Sequence, residues 1–187
     1  MKKLMLTAAI VCAAVMSYGA TYNWAAGADE IDTDYAKVDD GDGYIVGGLA
    51  SYIFDAGSVN KSQIVSLFAA GDSTVEGMAL KSFSMDDYGM VSTSGSGLTG
   101  EAGEDSSIFM VVLDAASFAS AEKFFVSDNA TANIDGTVQL GAPASFSFGT
   151  VNAPTEAWQS MSAVPEPTSG LLLLLGVAGL ALRRRRA

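Results

Sequence analysis

The sequence predicts a mainly β, β-sandwich-like fold with one or two short helices. Three observations support this prediction: one unbroken apolar run of six residues, several shorter apolar segments, and clusters of Gly, Asn and Asp between them that are typical of turns. Of the 187 residues, 49% are apolar. That content is enough to bury the core of one domain but not of two.

Six segments are strand candidates. Residues 108–113 (IFMVVL) are apolar throughout, which is typical of a strand covered on both faces. Residues 44–54 form a longer candidate in which Gly47-Gly48 marks an expected bulge. The other candidates are residues 75–83, 123–126, 137–140 and 145–148.

Helical periodicity occurs in one place. Three apolar residues spaced at i, i+3 and i+4 predict a helix over residues 63–70, capped by Ser62 and ended by Gly71. A second, shorter helical turn is predicted at 114–121. Residues 92–107 are rich in Gly, Ser and acidic side chains, which predicts a mobile loop.

The composition excludes several functions. The sequence has no His, and its one Cys is Cys12, so His-based catalysis, His or Cys metal sites and disulfides are excluded from the domain. Residues 21–164 hold 20 acidic residues, four lysines and no arginine, which argues against a nucleic-acid partner. Because no catalytic constellation is recognisable, we predict no catalytic residues, no enzymatic activity and no cofactor.

One acidic cluster has the spacing of a partial calcium loop. Asp39, Asp40 and Asp42 are close enough in sequence to offer several oxygen ligands to a hard cation. The EF-hand pattern is nevertheless absent, because Tyr44 and Ser51 occupy its fifth and twelfth positions. A solvated acidic loop is therefore the preferred interpretation, and a calcium site is the alternative.

The N-terminus has the features of a secretory signal peptide. Residues 1–20 begin with two lysines, continue with an apolar stretch over 4–16 and end in small residues. Cleavage after Gly19 places the small Ser17 at position −3, whereas cleavage after Ala20 places the bulky Tyr18 there, and both points stay open. The predicted partners of this segment are the export machinery and signal peptidase.

The C-terminus combines a proline-rich motif, an apolar stretch and a basic cluster. Pro165, Glu166 and Pro167 lie within the motif 164–168, and the prolines prevent a helix from continuing out of the domain. Residues 169–182 are predicted to form a single transmembrane helix, short for a bilayer core of about 30 Å. The positive-inside rule predicts a cytoplasmic position for the basic cluster, which consists of Arg183, Arg184, Arg185 and Arg186.

This ordered tail resembles the PEP-CTERM sorting signal of exported proteins in Gram-negative bacteria. The resemblance covers residues 164–187 and implies recognition of Pro165, Glu166 and Pro167 by exosortase. Exosortase is a membrane-embedded Cys protease and transpeptidase-like enzyme that removes the tail near the motif. The resemblance also implies association with extracellular polysaccharide and biofilm genes. The resemblance predicts where the protein is sent but not what its domain does, because the same signal occurs on unrelated domains.

The predicted organisation has four parts: a signal peptide at 1–20, an exported β-rich domain at 21–151, a linker at 152–163 and the sorting signal at 164–187. The predicted function is that of a surface or extracellular-matrix protein, anchored transiently in the inner membrane with its domain on the periplasmic side. Extracellular polysaccharide is its candidate partner. Two alternatives stay open: a small carbohydrate-active enzyme with paired carboxylates, and a calcium-stabilised adhesion module.

Overall fold

The structure, a computed structural model, describes residues 20–72, 74–75, 81–85 and 89–162, with only the backbone described for 81–84. The N-terminal signal helix (except Ala20) and the C-terminal transmembrane helix therefore lie outside the described residues.

The described residues form a mainly β domain with two short α-helices, which confirms the predicted fold class. The helices are α1 (Lys61–Ala69) and α2 (Gly136–Gln139). The strands are β1 (Ala20–Ala28), β2 (Glu30–Asp32), β3 (Ala50–Asp55), β4 (Lys81–Ser84), β5 (Val91–Gly100), β6 (Asp105–Leu113), β7 (Lys123–Val126), β8 (Ala130–Asn133), β9 (Ala144–Ser147), β10 (Thr150–Asn152) and β11 (Gln159–Ser160).

These strands form one large sheet and two smaller ones. The six-stranded sheet has the order β11-β7-β6-β3-β4, and β8 also pairs with β6. A three-stranded sheet has the order β5-β1-β9, and β2 pairs with β10. Pairing is antiparallel except between β1 and β9 and between β2 and β10, where it is parallel.

Strand β6 carries apolar core on both of its faces, which confirms the prediction from its unbroken apolar run. One face packs against Trp24 of β1, so the six-stranded and three-stranded sheets share one core. The opposite face packs against Phe68 of α1. The first face presents Ile108, Met110 and Val112, and the second presents Phe109, Val111 and Leu113.

Helix α1 lies close to its predicted position but has a different cap. The Asn60 side chain accepts a hydrogen bond from the Gln63 backbone N–H at 2.9 Å, and the Gln63 side chain accepts one from the Asn60 N–H at 3.0 Å. This reciprocal pair is a capping box, so Asn60 and not Ser62 caps the helix. Gly71, with φ of +64°, follows its C-terminal end as predicted.

The prediction of a mobile loop at 92–107 is wrong. Residues 91–100 form β5, which pairs with β1 from Ala28↔Val91 to Ala20↔Gly100, and 105–107 begin β6. Composition misled the prediction because β5 consists mainly of Ser, Thr and Gly. One of these glycines has a steric role, since a Cβ on Gly95 would lie 2.6 Å from the Trp24 ring.

The strand predicted at 137–140 is also wrong. This segment forms α2, because the Asp135 side chain accepts hydrogen bonds from the backbone N–H groups of Thr137 at 2.8 Å and Val138 at 3.2 Å. A capped turn of helix thus satisfies donors that a strand would have paired with a neighbour.

The other predicted elements lie near their observed positions. The strands at 123–126 and 145–148 correspond to β7 and β9, and the helical turn at 114–121 contains a 3₁₀ turn over Phe118–Ser120. Regular strand within 44–54 begins only at Ala50, because Gly48 adopts a φ of +82°. Of the candidate 75–83, the structure describes Val75 and the part of β4 that begins at Lys81.

Candidate functional site

The last ten described residues, 153–162, connect the domain to the predicted sorting motif, and we call them the exit segment. The sequence predicts an extended linker over 152–163. In the structure, β11 of the exit segment pairs with β7, opposite Phe124 and Lys123, and Trp158 is buried. The described part of the predicted linker therefore packs against the domain.

Trp158 is the main anchor of the exit segment. Its side chain is 5% exposed, and its Nε1–H donates to the Ala153 carbonyl at 3.0 Å and to Thr33 Oγ1 at 3.2 Å. The ring contacts Tyr35 and Phe125, with centroids 5.1 and 6.1 Å away. Because the indole N–H has partners, the whole ring can be buried without the cost of an unsatisfied donor.

A charged cluster lies beside this aromatic group. The Asp114 side chain is fully buried and accepts hydrogen bonds from Lys37 Nζ at 3.0 Å, from Tyr35 Oη at 3.2 Å and from the Glu122 backbone N–H at 2.8 Å. Lys37 Nζ also contacts the Glu122 carboxylate at 3.2 Å. The cluster thus joins two stretches of chain that are distant in sequence, one with Tyr35 and Lys37 and one with Asp114 and Glu122.

The electrostatics of this cluster favour its charged form. Burial pushes the pKa of Asp114 upward, but hydrogen bonds from the backbone of Lys123, the Lys37 amine and the backbone of Glu122 outweigh it and hold the pKa below its usual value. The hydrogen bond to Asp114 raises the pKa of Lys37. Burial raises the pKa of Tyr35. At neutral pH, Asp114 is therefore deprotonated while Lys37 and Tyr35 are protonated, which is the arrangement of an ion pair with a neutral hydrogen-bond donor.

Lys123 adds a second cation to the same cluster. Its Nζ lies 4.7 Å from the centroid of the Tyr35 ring, and its backbone pairs with Ser160 of β11. Tyr35 therefore contacts both a cation and the Trp158 ring.

The exit segment is hydrogen-bonded to the domain up to its last residue. The Met161 N–H donates to the Glu122 carbonyl at 2.8 Å, and the Ser162 N–H donates to the Ala69 carbonyl at 2.9 Å. In the sequence, only two residues lie between Ser162 and Pro165. The motif therefore begins close in sequence to a residue that is hydrogen-bonded to the domain.

The calcium candidates form a turn that their own carboxylates close. Asp39 accepts from the N–H groups of Gly41 at 2.8 Å and Gly43 at 2.9 Å, and Asp40 accepts from those of Asp42 at 2.8 Å and Tyr44 at 3.3 Å. Across the described ranges, no group of three or more His, Cys, Asp or Glu residues is arranged to hold a metal ion. Calcium binding by Asp39, Asp40 and Asp42 stays a prediction.

Sequence reasoning did not find the Asp114 cluster. Lys37 and Asp114 are 77 positions apart, and no motif connects them. The single available signal was the occurrence of the bulky Trp158 in a segment that otherwise looked like a linker.

The predicted recognition residues Pro165, Glu166 and Pro167, and the arginine cluster, lie outside the described residues. Residues 163–186 match the family model of the PEP-CTERM protein-sorting motif. The chain carries a PEP-CTERM sorting motif. No curated protein and no solved structure matches the chain. The match is confined to the C-terminus, as the sequence predicts, and it includes the Pro-Glu-Pro triplet and all four arginines.

The PEP-CTERM motif implies that the protein is exported, anchored transiently in a membrane and processed by exosortase. Within residues 20–162, as far as they are described, no helix has the length and apolar character that a membrane crossing requires.

Proposed function

We propose that this protein is a non-enzymatic surface or extracellular-matrix protein of a Gram-negative bacterium, associated with exopolysaccharide and biofilm. A signal peptide directs its export, and exosortase then removes the tail and releases or relinks the domain. The observation that carries the proposal is the PEP-CTERM motif at residues 163–186.

The N-terminal strand is compatible with removal of a signal peptide at either predicted point. The described part of strand β1 extends from Ala20 to Ala28, and Ala20 pairs with Gly100. Cleavage after Gly19 or after Ala20 would leave at least eight residues of the nine-residue strand in the mature protein.

The Asp114 cluster supports a structural role for the domain. A catalytic carboxylate must exchange protons or attack a substrate, whereas Asp114 is fully buried and occupied by three donors. The cluster connects to the exit segment through Tyr35, whose ring contacts Trp158, and through Glu122, whose carbonyl accepts the Met161 N–H, so we assign it the role of holding this segment on the domain.

The sorting claim can be tested with the triple variant Pro165→Ala, Glu166→Ala, Pro167→Ala in a Gram-negative host that supplies exosortase. We expect the variant to keep its tail and to collect in the membrane fraction, while the wild type loses the tail and reaches the surface or the medium. Pro143→Ala is the matched control, because Pro143 is exposed on the domain far from the motif in sequence. Identical processing and partitioning of wild type and triple variant would refute the claim.

The absence of enzymatic activity has a separate test. The processed protein, purified from the culture, is incubated with a broad panel of glycans, and new reducing ends are measured. We expect none above the background of a heat-denatured sample. Cleavage that disappears when one pair of carboxylates is changed to amides would replace this part of the proposal with the carbohydrate-active alternative.

A further inference from the structure

Two neighbouring cavities open on the surface of the domain. The first, of about 330 Å³, lies between the turn after β7 and the turn that joins β9 to β10. The second, of about 460 Å³, lies among the end of β3, the end of β5 and the start of β6. Asn129 lines both cavities, and its side-chain amide donates to Ser107 Oγ of the second one at 3.3 Å. The two cavities thus adjoin at Asn129, and we call them together the Asn129 groove.

The first cavity combines amide and hydroxyl groups with two phenylalanines. Asn129, Asn152 and Thr150 contribute polar side chains, and Phe148 is partly buried against the core, whereas Phe125 is buried. Planar amides can donate and accept hydrogen bonds at the same time, as vicinal hydroxyl groups also do. A few polar groups of this kind beside an aromatic ring are typical of a site that orients a small polar ring.

The second cavity is acidic. Four carboxylates line it, and the buried Asp55 is fixed by the Gly57 N–H at 2.8 Å and the Thr99 hydroxyl at 3.4 Å. The other three carboxylates belong to Glu101, Glu104 and Asp105. Hydrogen-bond acceptors dominate here, so a ligand must supply donors, and an anionic ligand would be repelled.

The whole groove, like its second cavity, carries a net negative charge. Lys61 is the one cation that lines either cavity, and its Nζ is already paired with Asp128 at 2.8 Å. With Asp128, the groove holds five carboxylates against one lysine.

We propose that the Asn129 groove binds an uncharged polysaccharide, with one sugar ring against Phe148 and the next units along Asn129 toward Asp55. Hydroxyl groups of the sugar donate to the carboxylates and exchange hydrogen bonds with the amides. This inference rests on the proposed matrix function and specifies it, because it assigns the site and excludes polyanionic glycans as ligands.

The test is affinity electrophoresis of the processed protein in native gels that contain one polysaccharide each. Dextran, hydroxyethylcellulose and galactomannan are the uncharged probes, glycol chitosan is the amine-bearing probe and alginate is the anionic probe. We expect at least one uncharged polymer to retard the protein, and alginate not to retard it. The absence of retardation by all three uncharged polymers overturns the proposal, and so does equal retardation by alginate.

Two variants locate the binding site. Phe148→Leu keeps an apolar side chain against the core but removes the aromatic ring, and Asn129→Ala removes the amide shared by both cavities. Each should weaken retardation about two- to tenfold, the range expected for one aromatic or hydrogen-bonding contact. Leu140→Ala and Gln159→Ala are controls, because both residues are exposed and line neither cavity.

Further outcomes are equally decisive. Retardation that both groove variants leave unchanged overturns the assignment, as does retardation by glycol chitosan alone with no effect of either variant, since that indicates general charge attraction. The circular dichroism spectrum shows which variants fold, and Asn129→Ala alone suffices if Phe148→Leu does not. If the groove fails this test while the Pro-Glu-Pro variant is still missorted, the groove proposal fails and the proposed sorting function stands.

Discussion

The two ends of the described chain are attached to the domain in different ways. Strand β1 has nine residues, pairs with β5 along its whole length and with β9 on its other side. The exit segment contributes a two-residue strand at the edge of the six-stranded sheet and depends otherwise on Trp158 and the cluster around Asp114. Attachment by a long central strand is spread over many backbone contacts, whereas the exit segment depends on a few side chains. Single substitutions should therefore affect the second end more selectively.

Trp158→Ala should have the largest effect. Loss of this buried ring should lower the free energy of unfolding by about 3–5 kcal/mol, as measured by chemical denaturation of the processed protein. Amide exchange should accelerate more at 159–162 than in β1. Leu140→Ala, at a side chain that is 90% exposed, should change stability by less than about 0.5 kcal/mol. Equal acceleration of exchange at both ends would contradict the comparison.

Gly95→Ala tests the attachment of the N-terminal strand β1 to the domain. The new Cβ would lie 2.6 Å from the Trp24 ring, so we expect a loss of about 1–3 kcal/mol from overpacking between β1 and β5. Gly136→Ala is the matched control, because nothing lies within 4 Å of a Cβ there, and it should leave the stability equal or slightly higher. If both variants unfold at the same denaturant concentration, the close approach of Gly95 to Trp24 has no energetic weight.

Asp114→Asn should lower stability by about 2 kcal/mol at pH 7, because it removes the charge that Lys37 neutralises. The effect depends on pH. The pKa of Asp114 is lower in the folded than in the unfolded protein, so its contribution is present above the unfolded value near 4 and is lost as the pH falls below it. Denaturation from pH 7 to pH 2.5 should show the wild type approaching the variant.

At high pH, the stability of the folded protein depends on Lys37. Its pKa is raised in the folded state, so its contribution to stability is present below the unfolded value near 10.4 and is lost as the pH rises above the folded value.

The control for Asp114→Asn is Asp128→Asn, at a side chain that is 97% exposed. It removes one surface carboxylate and should change stability by less than about 1 kcal/mol. A wild-type advantage over Asp114→Asn that persists unchanged at pH 2.5 would contradict this account.

Lys123→Met should have the smallest effect, a loss of about 0.5–1 kcal/mol, because it removes a cation from the Tyr35 ring but keeps the length of the side chain. The melting temperature of the processed protein measures it. Lys61→Met serves as the comparison, since Lys61 forms an exposed pair with Asp128 away from the exit segment. An unchanged melting temperature for Lys123→Met would show that the cation over Tyr35 contributes nothing to the attachment.

The sequence predicted those parts of the fold in which local pattern and burial agree. A short apolar run without alternation is typical of a strand with core on both sides, and β6 has this environment. Strand β7 was also predicted with its observed bounds. Helix α1 was found from its apolar spacing, although its start was misplaced because Asn60 and Ser62 are both good capping residues.

Other parts depend on partners that local sequence does not reveal. Strand β5 contains mostly small polar residues, and its conformation is imposed by pairing with β1 and by the need for space beside Trp24. The Asp114 cluster has no sequence signature, since Tyr35 and Lys37 are brought to Asp114 by the tertiary structure. The Asn129 groove likewise joins turns that are distant along the chain.

The short sequence separation between Ser162 and the Pro-Glu-Pro triplet affects the product of processing. A cut near the motif creates a new carboxyl terminus only a few residues from a backbone group that is hydrogen-bonded to α1. Any molecule joined to that terminus would therefore be tethered to the domain by a linker of only a few residues.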